Sequence, residues 1–280
     1  MSKIALVTGA NQGIGFGVVR RLCKEHPTWT VYGTSRSAAN GEEARKKLEA
    51  EGLTAKYLEA DLTKADTIVA MKEKLLKEHG GIDILVNNAG IAFKNTATDP
   101  YAVQAEVTLQ TNVFGTHTVC EQLFPILRDG ARVVILSSMI APMALHKTKK
   151  ICPSRYEAYI KNDPPMTLET VLNLMREFVS SVKAGDHAQK GWPDNSAYGT
   201  SKLANTVMAR AYQQQFSSTP ERDIVVNAAD PGYVNTSMSS HKGPLTIDEG
   251  ADTPYYLAVL PPNTPIKGQH VAKRKVVEWK

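Results

Sequence analysis

Cysteine is scarce in these 280 residues, and its three copies, Cys23, Cys120 and Cys152, show no CxxC spacing. An odd, scattered set argues against a disulfide framework and for a reducing compartment. No stretch approaches the roughly 18 consecutive apolar residues of a membrane span. Met1-Ser2-Lys3 runs straight into the first strand with no apolar leader, so a soluble, cytoplasmic protein without membrane contact is expected. The seven histidines include no HExxH. His117-Thr118-Val119-Cys120 reads as a helix surface rather than half of a zinc site, and no metal is expected. Absence of GxxxxGKS or GxxxxGKT argues against an ATP or GTP P-loop. Aromatic residues make up 7% and are not interleaved with basic ones, so the formal charge of +5 suits a small anionic ligand better than nucleic acid. No repeat, low-complexity tract or linker-like break interrupts the chain, and one domain over residues 1–280 is expected.

The most informative stretch is the first. Lys3 to Gly17 reads KIALVTGANQGIGFG: strand formers from Ile4 to Val7, then Gly9, Gly13 and Gly15, then helical periodicity through Val18, Val19 and Leu22. This order suits a pyrophosphate, because missing Cβ atoms let the backbone approach it and the helix start presents N–H groups with a favourable dipole. The spacing is TGxxxGxG, not the general GxGxxG. A second strand, Thr30 to Thr34, ends at Ser35-Arg36-Ser37. An acid there suits the free 2′-hydroxyl of NAD and an Arg the 2′-phosphate of NADP, so Arg36 points to NADP(H).

Gly41 to Gly52 reads as a charged helix, Thr54 to Glu59 as a strand ending at Asp61-Leu62, and Lys64 to His79 as a helix. Ile82 to Val86 is a fourth strand running into Asn87-Asn88-Ala89-Gly90. Strands alternating with helices predict a parallel sheet covered on both faces, with ligands beyond the carboxyl ends of its strands. Ile224 to Ala229 and Gly268 to Val271 read as later strands and Thr246 to Leu260 as a helix, while Lys147 to Lys150 and Lys273 to Lys275 read as solvated faces. The expected fold is α/β, a single Rossmann-type doubly wound parallel sheet of about seven strands.

These motifs, in this order, resemble the short-chain dehydrogenase/reductase family: TGANQGIG at Thr8 to Gly15, Asp61-Leu62, NNAG at Asn87 to Gly90, Asn112 in TNVFG, Ser137-Ser138 closing RVVILSS, Tyr198-Gly199-Thr200-Ser201-Lys202, and Pro231-Gly232. Sixty positions separate Ser138 from Tyr198, a far longer gap than most members have. The extra stretch holds a helical pattern from Met166 to Val182, introduced by Asp163-Pro164-Pro165 and closed by Lys183-Ala184-Gly185. This helical insertion, about residues 140–192 and before the Tyr-bearing helix, resembles that of the monomeric carbonyl reductases of the family, as do GIAFK at Gly90, QAEVT at Gln104, GWP at Gly191 and LPP at Leu260. In those enzymes it covers the surface other members use to oligomerise, which implies a monomer.

The resemblance implies an NADPH-dependent reductase of carbonyl compounds, namely quinones, aldehydes and ketones. Tyr198 and Lys202, four apart, share one face of a helix. Drawing a phenol pKa from near 10 toward 7 takes about 4 kcal/mol, which a nearby ammonium and an oxidised nicotinamide would supply. Tyr198 would give its proton to the carbonyl oxygen as hydride reaches the carbon, with Lys202 lowering the phenol pKa and holding the nicotinamide ribose. Ser138 would hydrogen-bond the oxygen, and Asn112 would position Lys202 through an ordered water. Gly9, Asn11, Gln12, Gly13 and Ile14 would hold the phosphates, Arg36 the 2′-phosphate, Asp61 and Leu62 the adenine, and Asn88 the ribose. Pro231, Gly232, Tyr233, Val234 and Thr236 would border the nicotinamide. Gln12 departs from the basic residue of many NADP-using relatives. Phe93, Lys94 and Gln104, with Ser138 and Tyr198, are the expected substrate contacts, the remaining lining falling around Ala141 to Leu145 and Tyr233 to His241. Two alternatives stay open: a non-catalytic NADP(H) sensor, and a dedicated alcohol or steroid dehydrogenase.

Overall fold

Short apolar strands whose neighbouring residues are both buried require cover on two sides, and this governs the architecture. The computed structural model describes residues 2–94, 96–161 and 166–278. Four strands alternating with three helices open the chain: β1 (Ile4–Val7), α1 (Gly13–Glu25), β2 (Thr30–Ser35), α2 (Ala38–Ala50), β3 (Lys56–Glu59), α3 (Ala65–His79) and β4 (Ile82–Asn87). Then come α4 (Tyr101–Leu109), a π-helical turn (Gln110–Gly115), α5 (Thr116–Leu123) and β5 (Leu127–Leu136). Helices α6 (Ile140–Ile151), α7 (Pro153–Ile160) and α8 (Leu168–Ala184) precede α9 (Ala197–Phe216), β6 (Val225–Asp230), α10 (Ile247–Ala258), β7 (His270–Ala272) and β8 (Lys275–Val276).

The strands form one sheet in the order β3-β2-β1-β4-β5-β6-β7-β8, parallel except for β8. Alternation within each strand feeds two cores. Ile4, Leu6, Leu85, Val133 and Ile135 pack under α3, α4, α5, α8 and α9, whereas Ala5, Val7, Ile84, Val86 and Val134 pack under α1, α2 and α10. Strand order reverses between β1 and β4, so the chain's turns diverge there and open a crevice at the carboxyl edge.

The sheet has eight strands rather than about seven. Lys273 and Arg274 both adopt left-handed φ, 49° and 61°, and return the chain antiparallel onto β7. Such a turn normally announces itself by Asn or Gly, which this sequence lacks there. Arg274 is not a merely solvated cation: it pairs with Asp252 of α10 and lies over the Tyr256 ring. Helix α2 starts at Ala38 rather than Gly41, because Gly41 is buried within it against Tyr57 and does not mark its start. The His117 to Cys120 segment is only partly surface, since Val119 and Cys120 are fully buried.

Helix α8 begins where the Thr167 hydroxyl accepts the Thr170 N–H at 3.2 Å and stops at Gly185 with φ 75°. Its stripe of Val171, Leu172, Met175, Phe178 and Val182 is buried, and the helix packs on α4 and α9. The expected Asp163-Pro164-Pro165 lead-in lies outside the described residues. No helix among the described residues is long and apolar enough to cross a membrane.

Candidate active site

The glycine turn after β1 is shaped by its neighbour rather than by flexibility. Gly9 has φ 60°, and a Cβ on it would lie 2.8 Å from the Ala89 Cα. A Cβ on Gly15 would collide with the Asn88 amide nitrogen. Side chains lace the two turns together: the Thr8 hydroxyl accepts the N–H groups of Asn88 and Ala89, both at 3.0 Å, and the Asn88 amide donates to the Thr8 and Gly9 carbonyls at 2.8 and 3.0 Å. Gln12, at the start of α1, makes no side-chain capping bond to that helix, and Gly13 and Ile14 of its first turn border the crevice.

One cleft, about 1080 Å³ of atom-free space partly open to solvent, crosses the carboxyl ends of β3, β2, β1, β4, β5 and β6. At one end stand Arg36 and Asp61 with Leu62; desolvation works to raise the Asp61 carboxyl, but the Thr63 N–H and hydroxyl, with smaller help from Lys64 and Arg36, hold it below its ordinary value. Gly9, Asn11, Gln12, Gly13, Ile14, Asn88 and Thr236, whose side chain lies against Gly13, line the middle, and Tyr198, Lys202 and Pro231 the far end.

Fourteen of the twenty residues of helix α9 are buried, and the helix packs on β5 and β6. The Lys202 ammonium donates to the Leu136 carbonyl at 2.8 Å and lies 5.7 Å from the centre of the Tyr198 ring. Burial pushes the Lys202 pKa down to about 8. It pushes the Tyr198 phenol up to about 12; Ser138 acts against this and the charge of Asp230 adds to it. Desolvation of the phenolate outweighs its polar neighbours, and the ammonium beside it is itself desolvated.

Asn112 sits in the π-helical turn, fully buried. Its carbonyl accepts the Ile91 N–H at 2.8 Å while its amide donates to the Ile91 carbonyl at 2.9 Å and the Ser201 hydroxyl at 3.0 Å. Ser201 in turn donates to the Tyr198 carbonyl at 2.8 Å. Ser137 rather than Ser138 lines the cleft, its hydroxyl donating to the Lys202 carbonyl at 3.1 Å. Ser138 meets Tyr198 and accepts the Ile140 N–H at 3.2 Å.

Other expected residues fall elsewhere. Val234 is buried, bridges to Leu245 and packs on Gly250, while Gly232 donates to Asp230 and Tyr233 is exposed. None of these three lines the cleft. Phe93 and Lys94 line a separate shallow cavity that shares Ile91 with it. Gln104 lines neither; its amide donates to the Asp99 carbonyl at 2.8 Å. Ala141, Ala144 and Leu145 belong to the core. Ala60 and Thr63 line the cleft without having carried any motif signal, whereas Thr111 belongs to TNVFG and Ser237 and Met238 fall within the expected lining from Tyr233 to His241.

Comparison with known proteins agrees with this geometry. The family model for short chain dehydrogenases matches residues 3–150 and 178–244. A protein named carbonyl reductase (NADPH) 1 from Rattus norvegicus is 42% identical over 278 residues, covering 99% of this chain and 98% of its own. Carbonyl reductase (NADPH) 3 from the same organism is 42% identical over 280 residues, covering 99% of both chains. Among solved structures, salutaridine reductase from Papaver somniferum superposes with a TM-score of 0.83 at 26% identity, over 96% of this chain and 99% of that one. With a matching family model over most of its length and a glycine turn, Asn, Ser, Tyr and Lys gathered at one crevice, this chain belongs to the short-chain dehydrogenase family.

Proposed function

We propose that this protein is an NADPH-dependent carbonyl reductase in which Tyr198 is the proton donor. The observation that carries the reading is the joining, in one cleft, of the Tyr198–Lys202 pair to a glycine turn and to Arg36. The relatives named carbonyl reductase (NADPH) support the activity and the cofactor. The residues fit that cofactor: an uncapped helix start and Cβ-free turn for the pyrophosphate, and a guanidinium between two serines for a 2′-phosphate. When bound, the dinucleotide supplies a hydride from its nicotinamide C4.

A phenol with a pKa near 12 keeps its proton at neutral pH, which is the state reduction requires. Tyr198 gives that proton to the carbonyl oxygen, and the Ser138 hydroxyl donates a hydrogen bond to the same oxygen as charge develops. Lys202, its pKa near 8, stabilises the phenolate left behind and holds the nicotinamide ribose hydroxyls. Asn112 acts through Ile91 and Ser201, fixing the turn beside the ammonium and the backbone beneath Tyr198. The products are alcohols from aldehydes and ketones, and hydroquinones from quinones. Met238, which lines the cleft and is exposed, suits such apolar substrates. Phe93 and Lys94 would meet a substrate reaching past Ile91.

NADPH consumption across a panel of quinones, aldehydes and ketones tests the reading. Turnover of several members is expected; cofactor binding with turnover of none would favour a sensor. Replacing Arg36 with Ala is expected to raise the NADPH KM about tenfold or more, the worth of a charge-assisted hydrogen bond, with little change for NADH. Equal effects on both cofactors would remove Arg36 from the 2′-phosphate.

The same reading makes residues 1–280 one reductase domain with an insertion at about 140–192, a segment whose centre, 151–177, the family model passes over. The packing of α8 on α4 and α9 supports a monomer, for which light scattering should give about 30.6 kDa. A mass near twice that value would contradict it. Free thiols at Cys23, Cys120 and Cys152 fit a cytoplasmic location, which cell fractionation checks.

A further inference from the structure

The helix face that carries Tyr198 and Lys202 does not end with them. Asn205, three residues after Lys202 and seven after Tyr198, extends the same face of α9 by another turn. It is 2% exposed, and its amide donates to the Leu136 carbonyl at 3.3 Å, the oxygen that also accepts the Lys202 ammonium at 2.8 Å. That carbonyl closes β5 beyond the reach of the ladder. The Ser137 N–H of the same peptide turns to the Ala229 carbonyl of β6 at 2.8 Å, so in a trans peptide the Leu136 oxygen points the opposite way, toward β4, whose register with β5 stops at Asn87 and Ile135. Two side chains of α9 therefore meet one strand-end oxygen, which has two lone pairs to offer.

Packing does not account for the amide. Its neighbour Thr206 is well matched, donating to the Lys202 carbonyl at 3.0 Å and sharing a hydrogen bond with the Ser137 hydroxyl at 2.5 Å. Asn205 Oδ1, by contrast, is buried with no partner among the described residues. Exchanging the oxygen and nitrogen of this amide would set two acceptors against each other at Leu136, so its orientation stands. A buried, half-satisfied amide costs stability relative to an apolar side chain of similar size.

We propose that Asn205 is a positioning residue: by holding the Leu136 carbonyl, it fixes the anchor from which Lys202 presents its remaining N–H groups to the nicotinamide ribose. The inference rests on the reading of Lys202 as the group that holds this ribose, and adds a residue to it. An ammonium has three N–H donors, and Leu136 engages one of them. The aim of the other two follows the position of that oxygen. Without Asn205, the ammonium is the only side chain among the described residues left on it.

The test is a double-mutant cycle on NADPH binding, read by fluorescence titration and independent of turnover. Asn205→Leu, close in size and apolar, is expected to raise the NADPH dissociation constant about fivefold in the parent, the size of one net hydrogen bond. In the Lys202→Met background the same change should alter it less than about twofold, because the anchor then has no ammonium to aim. A merely structural role for Asn205 would weaken binding by the same factor in both backgrounds. A rise under about twofold in the parent, a fall, or a change of about twofold or more in the Lys202→Met background overturns the proposal. Asn205→Val and Lys202→Ala take the place of a variant that does not fold. Lys202→Met alone tells two failures apart. If it leaves the dissociation constant unchanged, the ribose reading fails and takes the proposal with it; if it weakens binding, the cycle judges Asn205 by itself. Loss of the Tyr198 reading, seen as turnover in Tyr198→Phe, leaves this cycle untouched.

Discussion

Replacing Tyr198 with Phe is expected to lower kcat for carbonyl reduction about a thousandfold while NADPH still binds. General acid catalysis by a placed side chain contributes on the order of 10² to 10⁴, and here the phenol is the group that holds the proton. The loss should be large because its polar neighbours are poor substitutes. The Lys202 ammonium is committed to the Leu136 carbonyl, and Ser138 has a pKa too high to release its proton in one step. The fold should be unaffected, since the hydroxyl lies at the cleft and the ring stays. Steady-state turnover together with NADPH titration by fluorescence measures both halves. Activity within a few fold of the parent would remove Tyr198 from the chemistry and, with it, the scheme built on its proton.

The second large effect lies at the opposite edge of the sheet and concerns stability. Arg132 of β5 is 3% exposed and donates to the carbonyls of Leu260 and Pro261 at 3.1 and 2.7 Å and of Asp223 at 2.6 Å. It also pairs with the Asp223 carboxylate at 2.9 Å. That carboxylate accepts the Asn263 N–H and the Lys267 ammonium, both at 3.0 Å. Burial alone would raise the Asp223 pKa, but these donors outweigh it and hold it down at about 2. Replacing Asp223 with Ala leaves a buried guanidinium without its countercharge and is expected to cost about 3–5 kcal/mol, measured by urea denaturation. Activity per folded molecule should be unchanged, because the cluster precedes β6 whereas the cleft lies beyond it. The pH dependence has a definite sign. A depressed carboxyl contributes stability that is fully present above its unfolded pKa near 4 and is lost as pH falls toward 2, so the Ala variant should lose less between pH 4 and 2 than the parent. A loss under about 1 kcal/mol would mean that the pair only offsets its own desolvation.

This clasp also shows what a motif alone leaves open. Leu260-Pro261-Pro262 stood out in the sequence only through resemblance. In the fold its first two carbonyls are the acceptors that Arg132, more than a hundred residues earlier, requires. Asn112 is a similar case. Its place in TNVFG marks it as functional, yet its geometry depends on a π-helical turn that re-aims one residue inward, with no periodicity to announce it. The turn at Lys273-Arg274 escaped for the opposite reason. Its residue types argue against a hairpin, and the contacts of Arg274 with Asp252 and Tyr256 supply what the local preference does not.

The sequence by itself determined the order of strands and helices, the glycine turn and its ligand class, the cationic side chain after β2, and the four-residue interval that puts Tyr198 and Lys202 on one face. Each of these is local, set by side-chain periodicity or by what a few successive backbone units permit. Tertiary structure decided the rest: which loop residues line the cleft, that Pro231 and Thr236 reach it while Gly232 to Val234 do not, and that burial pushes the phenol's pKa up. Desolvation and long-range hydrogen bonds depend on partners distant in the chain, and no short stretch of sequence contains them.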